Sequence, residues 1–66
     1  MSFSILDRMK GVIRTRIEEL IIEKFLFLGK MAITPKDTYV YEVLRLGVAI
    51  IDFKIAFWES MLGKGE

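Results

Sequence analysis

The side chains that carry most enzymatic chemistry are missing from this chain. Its 66 residues include no histidine and no cysteine. That removes the ordinary catalytic triad, the thiolate nucleophile, and imidazole or thiolate metal ligation. Ser2 and Ser60 carry hydroxyls with no evident base to activate them. Glu19 and Glu23 lie one turn apart, and a hairpin folded near residues 32–33 brings Glu23 close to Glu42. Three carboxylates are a ligand set for Mg²⁺ or Ca²⁺. The Glu-x-x-Glu spacing of helical nucleotide pyrophosphatases is absent, however, and so is the Glu-x-x-His of di-iron bundles. Lys24 and Lys30 flank the cluster, so a solvated charged face is the better reading. Gly63-Lys64-Gly65 is a tail and not the strand-to-helix turn of a phosphate loop. The expectation is a protein that is not an enzyme and takes no cofactor and no metal.

Two lysines interrupt apolar stripes and raise a different kind of chemistry. Lys24 breaks the stripe of a first helix, and Lys54 sits between two stripes of a second. Either lysine can snorkel, with its stem packed and its ammonium in water. Either can instead pair with a carboxylate and specify register in an oligomer. Snorkelling is the favoured reading at Lys24; at Lys54 the two stand level.

The elements that position these groups are helices. Thr34 to Leu62 reads as one long helix: Thr34 as N-cap, Pro35 at the first helical position, Asp37 in the first turn and Gly63 as the stop. Two apolar stripes run along it. One is Val40, Leu44, Gly47, Ile51, Ile55, Trp58 and Leu62; the other is Tyr39, Val43, Leu46, Ile50, Phe53, Phe57 and Met61. A two-helix hairpin covers one stripe, and the second needs a further partner.

The first helix begins at Ile5 behind a Ser4 cap. Leu6, Met9, Ile13, Ile17, Leu20, Phe27 and Leu28 share one face, and Arg14 can pair with Glu18. From Leu20 to Leu28 the apolar residues take up nearly the whole circumference, and Gly29 is the expected C′ residue. A loop as short as Lys30 to Ile33 forces antiparallel neighbours.

A chain this short buries only about 60% of its unfolded surface. Yet 53% of the residues are hydrophobic, and mean hydropathy is +0.40. Association accounts for that excess; membrane contact is the rival explanation. The net charge of +1, with 10 basic and 9 acidic residues interspersed, argues against nucleic acid as a partner. The absence of asparagine and glutamine beside abundant Lys, Arg and Glu leans toward a thermophile. No secretory signal is visible, and the longest uncharged stretch of the second helix, Leu46 to Ile51, is far short of a ~20-residue span. A cytoplasmic location is the expectation.

Phe3 to Leu20 resembles the amphipathic first helix of the phage-shock-protein A family of membrane-remodelling proteins, through Ile5-Leu6-Asp7-Arg8, Val12-Ile13-Arg14 and Ile17. The resemblance implies an interfacial helix with Arg8, Lys10, Arg14 and Arg16 toward anionic lipid. It spans under a third of the chain. The family's acidic-proline turn and long coiled-coil hairpin are absent, and the chain is not assigned to it.

These observations together predict an all-α protein with a single domain over residues 1–66. Two antiparallel helices, at about 5–28 and 35–62 with a tail at 63–66, dimerise into a four-helix bundle. The protein is expected to act through interaction, assembly or regulation, with itself as first partner and another protein as a further candidate. The expected oligomer interface is Val40, Val43, Leu44, Gly47, Ile50, Ile51, Lys54, Phe57, Trp58 and Met61. Phe25, Leu26, Phe27, Leu28 and Met31 form a candidate patch for a partner or a membrane surface. A ribbon-helix-helix DNA-binding dimer, with Phe25 to Ile33 as a strand and a break at Gly47, is the less favoured alternative.

Overall fold

The computed structural model describes residues 5–63, with side chains from Asp7 onward. Two helices, α1 (Ile5–Ala32) and α2 (Tyr39–Gly63), pack against each other as a hairpin. The expected Ser4 cap and the tail beyond Gly63 lie outside the described residues.

Both helix boundaries at the turn fall four residues later than expected, at 32 instead of 28 and at 39 instead of 35. Gly29 does not end α1, and no described glycine has a positive φ; Gly63 is likewise helical. The stop is made by Pro35, which disfavours a helical Thr34 before it and has no N–H to continue the ladder. Thr34 then closes the freed end of α1. Its Oγ1 donates to the Lys30 carbonyl, and its N–H donates to Met31 O at 3.2 Å.

Thr38 takes over the capping role expected of Thr34. Its Oγ1 accepts the Tyr41 N–H at 3.2 Å and donates to Pro35 O at 2.7 Å. The Thr38 carbonyl accepts the Glu42 N–H and starts the α2 ladder. The two threonines divide the turn between them.

The seam is written in alternating steps of three and four. Ile13, Ile17, Leu20, Lys24, Phe27 and Met31 of α1 are buried or half-buried. So are Tyr41, Leu44, Val48, Ile51, Ile55, Trp58 and Leu62 of α2. This is the heptad pattern of a coiled coil. Tyr41 and Val48 belong to the seam where the sequence stripe had Val40 and Gly47, although Gly47 is also half-buried. A stripe drawn with repeated steps of four drifts around the helix, and strict alternation keeps it on the partner. Leu28, expected on the packed face of α1, is exposed.

Among the described residues only Ile13 (1% exposed), Leu20 (6%) and Ile51 (4%) are fully buried apolar residues. The molecule is a rod, 57 × 15 × 13 Å, with a radius of gyration of 15.7 Å; a compact chain of this length has about 11 Å. No strand occurs among the described residues and α2 runs unbroken through Gly47, so the ribbon-helix-helix alternative is corrected.

Candidate functional site

The outward face of α2 is apolar and exposed. Tyr39, Val43, Leu46, Ile50, Phe53 (74%) and Phe57 are all exposed, as the second stripe requires when α1 covers only the first. The accessible surface of 5325 Å² exceeds by about 1,000 Å² what a compact monomer of this mass presents. The excess follows from the elongated shape, 57 × 15 × 13 Å.

The residues expected at an interface fall into two groups. Val40, Val43, Ile50, Lys54 and Phe57 are exposed on the outside of α2, and Met61 is half-buried beside them. Leu44, Ile51 and Trp58 instead line the seam against α1, as their heptad positions dictate. Gly47 lies under the Phe27 ring, so closely that a Cβ there would collide with it. Leu46 and Phe53, absent from the expected interface, are among its most exposed apolar members. Their signal was membership of the second stripe.

Beside the seam runs a groove of about 560 Å³, with Leu20 and Trp58 at its base and Phe53, Phe57, Lys54, Arg16 and Glu23 along its edges. Phe57 and Trp58 meet edge to face, with ring centroids 5.2 Å apart. Lys54 is exposed there and has no carboxylate partner among the described residues. Lys24 behaves differently. Its stem occupies a seam position and its Nζ reaches Asp52 Oδ1 at 2.7 Å, with the two side chains 33% and 50% exposed. Lys24 both snorkels and pairs.

The carboxylates do not converge. Lys24 opposite Asp52 sets the hairpin register, which places Glu23 about ten residues, or roughly 15 Å, from the height of Glu42. The expected approach of Glu23 to Glu42 fails because the turn sits later in the chain. Glu42 pairs instead with Arg45 at 3.5 Å, and Arg16 with Glu19 at 3.4 Å; the expected Arg14–Glu18 pair is not formed. No group of three potential ligands that could hold a metal ion occurs among the described residues.

The patch expected at the turn end is likewise divided. Phe25 (67%), Leu26 and Leu28 are exposed, together with Ile21, Ile22 and Ile33, whereas Phe27 and Met31 are half-buried seam residues. Among the described residues no helix is long and apolar enough to cross a membrane.

Comparison with protein-family models, with curated proteins and with solved structures finds no match.

Proposed function

We propose that this chain works by association and not by catalysis: a helical hairpin that pairs with a second copy through the outer stripe of α2, forming a four-helix bundle that serves as a small assembly or regulatory unit. One observation carries this reading. Val43, Leu46, Ile50, Phe53 and Phe57 form an apolar row that nothing among the described residues covers, and monomers rarely leave such rows in water. The buried residues support it too, because Ile13, Leu20 and Ile51 are a small core for 66 residues.

The membrane-surface alternative draws on the same apolar content. It is weakened along α1, where Ile13 and Leu20 are already buried against α2. Those are the residues an interfacial helix would insert.

Light scattering at micromolar concentration tests the proposal. The expected result is a dimer or larger, with a melting temperature that rises with protein concentration. A compact monomer whose melting temperature ignores concentration overturns it.

A further inference from the structure

We infer that the back of α1, around Ile22, Phe25 and Leu26, is a second self-association surface on which another copy lays its own α1 antiparallel. The inference builds on the reading of α2 as a contact between copies and extends it to the opposite side of the rod.

Ile22, Phe25 and Leu26 are 62%, 67% and 62% exposed. They lie on the side of α1 turned away from Leu20, Lys24 and Phe27, which face α2. An apolar patch alone does not name its occupant; the charges framing this one do. Glu19 precedes the patch and Lys30 follows it, eleven residues on. Eleven residues are close to three turns, so both groups stand on the same edge, about 16 Å apart.

When two such helices meet antiparallel about a two-fold midway between these residues, each Glu19 comes to the level of the other copy's Lys30, on the same edge. Parallel packing about a two-fold would carry the partner's Glu19 and Lys30 to the other edge, where neither meets its opposite charge. The charges therefore select an antiparallel contact in which both copies use the same patch. Glu19 already touches Arg16 through Oε1 at 3.4 Å, an exposed contact that leaves Oε2 for the second partner. Glu18, Glu19 and Glu23 beside the patch oppose an anionic bilayer as the occupant. Because the α1 and α2 faces point away from each other, copies joined through one are free to join again through the other. Association then passes the dimer and proceeds in even steps.

Sedimentation and light scattering on the full chain, from micromolar to near-millimolar concentration, test the inference, with circular dichroism confirming helix content in each variant. The wild type is expected to exceed a dimer. Lys30→Glu and Glu19→Lys each turn two attractions into repulsions, and each should weaken the second step about tenfold, leaving a dimer. The combined Glu19→Lys/Lys30→Glu chain should recover the wild-type mass. Ile50→Lys should remove the α2 contact and leave a dimer built through α1. A wild-type dimer that Lys30→Glu leaves intact overturns the inference and spares the α2 reading. If the wild type is a dimer that Ile50→Lys leaves intact and Lys30→Glu dissociates, the α2 reading falls and this one stands. A mass above a dimer that Ile50→Lys leaves unchanged overturns both. Failure of the double swap to restore mass also overturns the inference. So does flotation with vesicles of anionic phospholipid that Phe25→Glu abolishes.

Discussion

The ammonium of Lys24 meets the carboxylate of Asp52 at 2.7 Å, and among the described residues it is the ion pair that crosses from α1 to α2. Lys24 stands at a heptad seam position and Asp52 follows the buried Ile51, so the charge leaves the seam on the side where its partner waits. One heptad earlier on α2 stands Arg45, and one heptad later Glu59. Sliding the helices one way therefore exchanges attraction for repulsion. The pair acts on register more than on stability, since an ion pair this exposed contributes at most about 1 kcal/mol.

Asp52→Ala should accordingly cost less than about 1 kcal/mol, and Lys24→Leu should be neutral or stabilising, because an apolar side chain suits the seam. Urea unfolding at fixed protein concentration measures both. A loss of ~3 kcal/mol or more in Asp52→Ala would show that the pair is buried and structural.

The glycines of the two helices should respond in opposite directions. Nothing lies within 4 Å of a Cβ added at Gly11, so Gly11→Ala should raise stability by up to about 1 kcal/mol through helix propensity. At Gly47 the added methyl meets the Phe27 ring. Overpacking of ~1–3 kcal/mol should outweigh the same propensity gain there. Thermal unfolding of the two variants side by side checks the contrast, and equal stabilisation would mean that the Phe27 ring moves aside freely.

Lys54 interrupts the outer face of α2 without a carboxylate partner among the described residues. Lys54→Met keeps the stem's contacts and removes an exposed charge, so the hairpin's own stability should change by no more than about 0.5 kcal/mol. Association between copies should tighten, because the apolar row becomes continuous. Light scattering and denaturant unfolding of this variant separate the two effects; weaker association would instead give Lys54 a partner on the other copy.

The turn yields a test of which threonine caps α2. Thr38→Ala should cost about 1 kcal/mol and expose the Tyr41 amide to hydrogen exchange, since that N–H donates to Thr38 Oγ1. Thr34→Ala should leave the Tyr41 amide protected and loosen the last turn of α1 instead, where Thr34 bonds Lys30 O and Met31 O. Amide exchange that changes at Tyr41 in the Thr34 variant would restore the simpler cap.

Helix identity and the surplus stripe on the second helix were legible in the sequence alone because they rest on local periodicity, and the antiparallel hairpin because the connection is short. Residues spaced three and four apart share a face whatever they pack against. Composition also limited the chemistry, since an absent histidine or cysteine is absent in any fold. The turn was less legible. Gly29 and Thr34 are strong local signals, but Pro35 acts on the residue before it, and Thr38 offered an equally good cap one turn later. Only the tertiary structure decided which of the two stripes on α2 faces α1, because both are apolar and the choice depends on heptad register between the helices. The same register brought Lys24 to Asp52, carried Glu23 away from Glu42 and laid Phe27 over Gly47. A four-residue shift of the turn is one helical turn on each arm, enough to change every cross-seam neighbour while leaving each helix's own pattern intact.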